Sequence, residues 1–156
     1  MPGGYRVAVH EVGPGVVYDS GNVRVTAIPV PHGSWKEAYG YRIDSPDRSV
    51  VISGDTRPSE ALTAAARGVD VLVHEVYSEA RLAPENRPGG EDWPQYMRAF
   101  HTSDVELGKI AAVAQPKLLI LSHIIARGAT DTELLAAVRA GGFGGPVVVG
   151  KDLARY

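Results

Sequence analysis

Hydrophobic and polar residues follow two different patterns along the chain. Up to about residue 43, short runs rich in valine, isoleucine and tyrosine are separated by turns that contain glycine, proline and asparagine. Such runs, many of them alternating with polar residues, are typical of antiparallel strands. They predict strands at 5–11, 16–19, 23–30 and 39–43.

From Ser49 onward, apolar runs alternate with segments that begin like helices. Pro58 suits a first helical turn, and Ser103–Glu106 and Thr130–Glu133 have the sequence of capping boxes. The predicted strands are 49–53, 69–73, 117–122 and 146–149, and the predicted helices are 58–66, 95–100, 104–114 and 130–140. Residues 84–94 are rich in proline and glycine and predict an irregular surface excursion.

These elements predict one α/β domain over residues 1–156. Its mixed sheet is antiparallel at first and parallel later, with helices packed on one face. In the later strands, the residues that point to either face of the sheet are apolar, which is typical of strands buried on both sides. Because the helices of this chain cover only one face, the sequence predicts a missing layer, supplied by another chain or by a partner domain.

Composition narrows the class of protein and of site. A chain of 156 residues with 44% hydrophobic residues favours a globular domain, and the first residues and the short apolar runs predict a cytoplasmic protein with no membrane span. A net charge of −2 and a pI near 6.2 argue against a broad polyanion-binding surface. There is no cysteine, so any metal must be held by histidine, aspartate and glutamate.

Three apolar strands run into residues that bind metals or protons. Asp55 follows the first, His74 and Glu75 follow the second, and His123 follows the third. Because catalytic groups gather at the carboxyl edge of such sheets, these residues predict one shared site. Taken alone, Asp55 or the adjacent threonine fits a helix cap equally well, and His123 fits a histidine packed at the sheet edge.

Two further segments are candidates for catalysis and substrate binding. His101 lies just before a predicted helix, where Glu75 could orient it as a proton donor or acceptor, although Ser103 also reads as an ordinary helix cap. His32 and Trp35 lie in a loop with two prolines, and the tryptophan fits a core residue equally well. His10 has no neighbouring signal and is expected at the surface.

Taken in order, these motifs resemble the carboxyl-terminal half of a metallo-β-lactamase-fold hydrolase, most closely of the ribonuclease Z-like subgroup. The resemblance implies half of an αββα sandwich, with helices on one face of the sheet. The segments that carry it are Pro31–Gly33, Tyr39–Ile43, Ser53–Ser59, His74–Tyr77, His101–Ser103, Leu121–His123 and Lys151–Leu153.

The resemblance also implies roles for individual residues. Asp55 is similar to the aspartate that bridges two metal ions, and His123 to the late histidine ligand. Glu75 and His101 resemble a pair in which the carboxylate orients the histidine that protonates the leaving group. His32 and Trp35 resemble a loop that touches substrate.

The sequence differs from the family pattern in its metal ligands. The His-x-His-x-Asp-His loop of the family's amino-terminal half is absent from these 156 residues. The sequence therefore predicts a divalent metal, zinc with manganese or iron as alternatives, held at a site that a second copy of the chain or a complementary amino-terminal half completes.

The expected activity is metal-dependent hydrolysis of phosphodiester-like or related ester bonds in a small phosphoester, by a homodimer that replaces the missing half. Nucleic acid is a possible substrate that the charge of the chain does not support. The alternative is a non-catalytic remnant that binds a partner chain and has an incomplete metal site.

Overall fold

A computed structural model describes residues 8–85 and 92–156. Within these ranges the strands are β1 (Gly15–Ser20), β2 (Val23–Pro29), β3 (Tyr39–Asp44), β4 (Ser49–Ile52), β5 (Val71–Tyr77), β6 (Leu118–Ile125) and β7 (Val147–Val149). The α-helices are α1 (Glu60–Ala65), α2 (Trp93–Phe100), α3 (Asp104–Ala114) and α4 (Asp131–Ala140), and a short 3-10 helix spans Glu79–Arg81.

The strands form one mixed sheet in which they stand in the order of the sequence, β1 to β7. Pairing is antiparallel from β1 to β4 and parallel from β4 to β7. The predicted mixed α/β sheet, antiparallel at first and parallel later, is confirmed. Its parallel half brings the carboxyl ends of β4, β5 and β6 to one edge.

Some predicted boundaries are wrong. The strand expected at 5–11 does not form over residues 8–11, and residues 5–7 lie outside the described part of the chain. Most of the predicted excursion at 84–94 also lies outside it, at 86–91. Helix α1 begins after its cap at Ser59, so Pro58 precedes the helix instead of opening it.

Strands β5 and β6 are longer than predicted, and this places chemical groups inside the sheet. His74 and Glu75 lie within β5, and His123 lies within β6. Polar residues ended the apolar runs in the sequence, but the backbone hydrogen bonds between β5 and β6 continue to Tyr77 and Ile125.

The helices cover one face of the sheet. Val51, Leu72 and Leu119 are paired across β4, β5 and β6, and none of them is accessible to solvent. They belong to a core whose other buried members are Ile28, Val30, Leu62, Ala66, Val69, Val76, Leu107, Ala111, Ala114, Leu121, Leu134, Val138 and Phe143. The expectation of helices on one face is confirmed.

The opposite face carries apolar residues that are less well covered. Paired residues of neighbouring strands point to the same side of a sheet. Two rows on this side lack full burial, and we call them the open face: Val50, Val71 and Leu118, and Ile52, Val73 and Ile120. No element in the described ranges packs over these rows to bury them, as the prediction of a missing layer requires.

Helix caps hold the segments around the site. Thr130 and Glu133 form the complete capping box predicted for α4. For α3 the prediction is only half correct: the Ser103 hydroxyl accepts from the Glu106 amide, while the Glu106 side chain pairs with Lys109. No helix in the described part of the chain has the length and apolarity that crossing a membrane requires.

Candidate metal and catalytic site

Asp55 projects from a sharp turn at the end of β4. Gly54 has φ of +61°, and a Cβ there would lie 2.6 Å from the Tyr39 carbonyl oxygen. Only glycine fits both the conformation and the space. Ser59 caps α1, so neither Asp55 nor Thr56 is the helix cap. The Asp55 side chain therefore does not cap α1, and it is 44% exposed.

His123 occupies a bulge in β6. Ser122 pairs with Glu75 and Ile124 pairs with Val76, which leaves His123 as an extra residue in the parallel ladder. Its φ of +40° lies in the left-handed region, which L-residues seldom adopt. Bulges of this kind redirect a side chain and are frequent beside active sites. The imidazole reaches the same edge as Asp55 and is 51% exposed.

Three potential ligands converge at this edge. The His123 Nε2 atom lies 3.5 Å from Asp55 Oδ2. One ligand atom from each of Asp55, His101 and His123 lies within 4.8 Å of the other two. A carboxylate and two imidazoles are a donor set that suits zinc, manganese or iron, so the residues present fit a divalent metal ion.

Glu75 is a buried carboxylate that joins two segments of the site. Its Oε1 atom accepts hydrogen bonds from the Thr56 amide at 2.8 Å and from His101 Nδ1 at 3.1 Å. Burial raises the pKa of Glu75, and the bonds from His101 and Thr56 oppose that rise without cancelling it. Its Oε2 atom is buried and has no hydrogen-bond partner in the described ranges.

His101 stands between Glu75 and the two exposed ligands. Because its Nδ1 atom is engaged by Glu75, its Nε2 atom is the free nitrogen. Its ring centroid lies 5.7 Å from that of His123. A histidine oriented by a carboxylate serves equally as a proton donor or as a metal ligand. Sequence reasoning named the first role and missed the second, because no spacing in the sequence reveals the distance from His101 to Asp55 and His123.

His32 lies on the other side of His101. Its Nδ1 atom donates to the Phe100 carbonyl oxygen at 2.8 Å, and its ring meets that of His101 nearly edge to face at 5.4 Å. Trp35 lies 6.0 Å from His32 between ring centroids and is 67% exposed, so it is not a core residue. Of the two residues predicted to touch substrate, His32 therefore contacts His101, and Trp35 contacts His32.

The remaining histidines lie outside this cluster. His74 is fully buried, and its Nδ1 atom donates to the Glu75 carbonyl oxygen at 2.7 Å. Burial lowers the pKa of His74 to about 4. His10 is exposed, as expected.

Comparison with other sequences places the chain among known proteins. Residues 2–124 match the family model described as the beta-lactamase superfamily domain. A ribonuclease Z of Mycobacterium sp. (strain KMS) is 33% identical over 152 residues, which are 96% of this chain and 51% of that protein. A putative ribonuclease Z of Mycobacterium tuberculosis (strain CDC 1551 / Oshkosh) is 32% identical over 165 residues, covering 97% of this chain and 72% of that protein.

The fold has a match among solved structures. The metallo-beta-lactamase fold protein YhfI from Bacillus subtilis superposes with a TM-score of 0.66 and 21% sequence identity, over 86% of this chain and 49% of that one. At this level of identity the likeness concerns the fold. The chain thus spans about half the length of the strain KMS relative and of this structure.

Proposed function

The chain belongs to the family described as the beta-lactamase superfamily domain. On that premise, we propose that it is a metal-dependent hydrolase of phosphoester bonds. The observation that carries the proposal is the convergence of Asp55, His101 and His123 beside the buried carboxylate of Glu75. The name ribonuclease Z of the two mycobacterial relatives supports a phosphodiester as the bond that is cleaved.

Asp55 and His123 are the proposed metal ligands. Both are about half exposed at the open edge of the sheet, where further ligands from another polypeptide can reach the same ion. Zinc is the expected metal for this donor set, with manganese or iron as alternatives. A divalent ion bound here supplies a water of lowered pKa and polarises the phosphoryl oxygen.

His101 is the proposed proton donor to the leaving group. The Glu75 carboxylate accepts a hydrogen bond from its Nδ1–H, which fixes the orientation of the ring. The proton to be transferred is then on Nε2, on the side of the ring away from Glu75. The Thr56 amide in turn holds the carboxylate, so the dyad keeps its orientation before substrate arrives.

We propose that a second polypeptide completes the site. A catalytic zinc ordinarily has about three protein ligands, and with His101 assigned to proton transfer, Asp55 and His123 supply two. The open face, where Ile52 is 40% exposed, is the surface through which a partner layer would pack. We propose a second copy of this chain, related by a twofold axis, or a complementary amino-terminal half as that layer.

Hydrolysis of a chromogenic diester, bis(p-nitrophenyl) phosphate, by the metal-loaded chain tests this function. Asp55→Ala and His123→Ala are expected to lower the rate at least about 100-fold, because each removes a proposed metal ligand. His10→Ala is the matched control, since His10 is exposed and outside the cluster, and its rate should equal that of the wild type. Equal rates and equal metal content in all four proteins would contradict the proposal.

The alternative is a non-catalytic remnant that binds a partner through the open face. The exposed apolar side chains of that face, such as Ile52 at 40% exposure, favour it. Mass in solution and elemental metal analysis separate the two functions. A metal-free monomer supports the remnant, and a metal-containing dimer supports the hydrolase.

A further inference from the structure

A cavity of about 390 Å³ lies beside the proposed catalytic dyad and has no role in the function described so far. Its lining residues are Gly33, Ser34, Arg57, Ala99 and Phe100. Each lining segment adjoins a site residue in the sequence: Gly33 follows His32, Phe100 precedes His101, and Arg57 comes two residues after Asp55.

The cavity wall connects to His101 through the ring of His32. The Phe100 ring stacks on Tyr96 with centroids 4.3 Å apart, and the His32 ring meets Phe100 edge to face at 5.0 Å. The His32 ring in turn contacts His101 at 5.4 Å. The cavity is thus two ring contacts from the proposed proton donor, a distance that one substrate can span.

Arg57 is the charged group of the cavity, and its backbone is firmly held. Its amide donates to the Pro31 carbonyl oxygen at 3.0 Å, and its own carbonyl oxygen accepts from the Thr56 hydroxyl at 2.6 Å. Pro58 restricts its backbone further. By contrast, the Arg57 guanidinium forms no hydrogen bond or ion pair with any residue in the described ranges, and it is exposed to solvent. A fixed backbone that presents an unpaired guanidinium is a suitable anchor for an anion.

We propose that this cavity binds a second phosphate group of the substrate, adjacent to the phosphoester that is cleaved. This inference rests on the proposed function. Arg57 is its main ligand, because a guanidinium presents paired N–H donors that match two phosphate oxygens. The Ser34 hydroxyl is a second donor. The second phosphate comes either from the neighbouring linkage of an oligonucleotide or from a small diphosphate, and the chemistry of recognition is the same.

Calorimetric binding to the metal-free full chain tests the site without requiring activity. The probes are a thymidine dinucleotide with a 5′-phosphate, the same dinucleotide without it, and inorganic pyrophosphate. The proteins are the wild type, Arg57→Ala, Arg57→Lys and the control Arg67→Ala. Arg67 is also exposed, but it precedes β5 and so lies at the opposite edge of the sheet.

The wild type and Arg67→Ala should bind the phosphorylated dinucleotide about tenfold more tightly than the unphosphorylated one. Arg57→Ala should abolish this preference, and Arg57→Lys should retain part of it. Arg57-dependent binding of pyrophosphate, without a preference between the dinucleotides, would assign the phosphate to a small diphosphate.

The proposal is overturned if the wild type shows neither the dinucleotide preference nor binding of pyrophosphate, or if Arg57→Ala binds all three probes as the wild type does. Its failure is separable from that of the proposed function. A chain that binds phosphate through Arg57 but neither holds metal nor hydrolyses diesters keeps the phosphate site and loses the hydrolase.

Discussion

At the scale of single residues, Glu75 links parts of the chain that are distant in sequence. One carboxylate oxygen accepts from the Thr56 amide, 19 residues before it, and from His101, 26 residues after it. An unpaired buried carboxylate is costly, and these two bonds offset that cost. The same pairing that stabilises Glu75 therefore sets the orientation of His101.

Glu75→Gln tests the role of this pairing. The amide keeps the size of the side chain but removes its charge, so hydrolysis is expected to fall about 100-fold. Metal content should be unchanged if His101 is a proton donor. Glu60→Gln, an exposed carboxylate in the first turn of α1, is the control and should keep full activity.

The metal content of Glu75→Gln shows whether His101 is a proton donor or a metal ligand. Loss of the carboxylate that hydrogen-bonds a metal-binding histidine typically weakens metal binding about 10- to 100-fold. If Glu75→Gln loses metal together with activity, His101 is a ligand and not the proton donor proposed here. If activity is unchanged, the dyad has no catalytic role.

Because His74 is buried, we expect the free energy of unfolding to depend on pH. Burial lowers its pKa to about 4 from an ordinary value of 6.5, so the unfolded chain takes up a proton before the folded chain does. The contribution of neutral His74 to stability is complete above about pH 6.5 and is lost as the pH falls toward 4. The slope from this group reaches about 1.4 kcal/mol per pH unit.

Urea unfolding of the wild type and of His74→Leu at pH 7 and pH 5 measures this effect. The wild type should lose more stability than the variant between the two values, because leucine takes up no proton. An equal loss in both proteins would show that His74 does not titrate in this range.

The sequence singled out Asp55, Glu75 and His123 as candidates, but it did not predict the surroundings of each side chain. His74 and Glu75, which the sequence placed after an apolar run, are both buried within β5. The turn at Asp55 was predictable because Gly54 precedes it. The approach of His101 to Asp55 and His123 was not, since it depends on how the loop after α2 packs against the sheet edge.

At the scale of elements, short loops position the site residues. The segment that carries His32 is attached to the end of α2, where the Gly33 amide donates to the Ala99 carbonyl oxygen at 3.0 Å. Gly33 has φ of +54°, and a Cβ on it would lie 2.0 Å from the Phe100 ring. The close approach of this loop to α2 therefore depends on glycine at this position.

Gly33→Ala is expected to lower the free energy of unfolding by about 2–4 kcal/mol, from the strained left-handed backbone and the overlap with Phe100. Gly21→Ala is the matched control, because Gly21 has φ of +60° and nothing within 4 Å of the added Cβ. It should cost about 1–2 kcal/mol, from backbone conformation alone. Equal losses in urea unfolding would show that the contact with Phe100 is unimportant.

Most elements were predictable because their signals are local. The strands of the parallel half are continuous apolar runs, and α4 begins at a complete capping box. The extension of β5 and β6 beyond their apolar residues was not predictable, because it depends on hydrogen bonds between strands that are distant in sequence. The bulge at His123 arises from the same pairing and leaves no signal in the sequence of β6.

At the scale of the whole molecule, the two faces of the sheet differ in burial. One face is sealed by α1, α3 and α4, while the open face carries Ile52 at 40% exposure. Apolar surface of this kind, next to the proposed metal ligands, is the feature that the proposed partner layer explains.

Ile52→Lys tests whether the open face mediates association. A charge on this face should lower the mass in solution of a self-associated chain toward the 16.6 kDa of the monomer. Val113→Lys is the control, because Val113 is 58% exposed on α3, in the helix layer. Sedimentation equilibrium gives the masses. A dimer that survives Ile52→Lys, or that Val113→Lys dissociates equally, places the interface elsewhere.

Anomalous diffraction at the zinc edge, from crystals of the zinc-loaded chain, locates the proposed metal ion. We expect a zinc peak about 2.0–2.2 Å from the Asp55 carboxylate and from an imidazole nitrogen of His123, with His101 Nδ1 still paired to Glu75. No peak between Asp55 and His123, or a zinc ion held by other residues alone, would contradict this expectation.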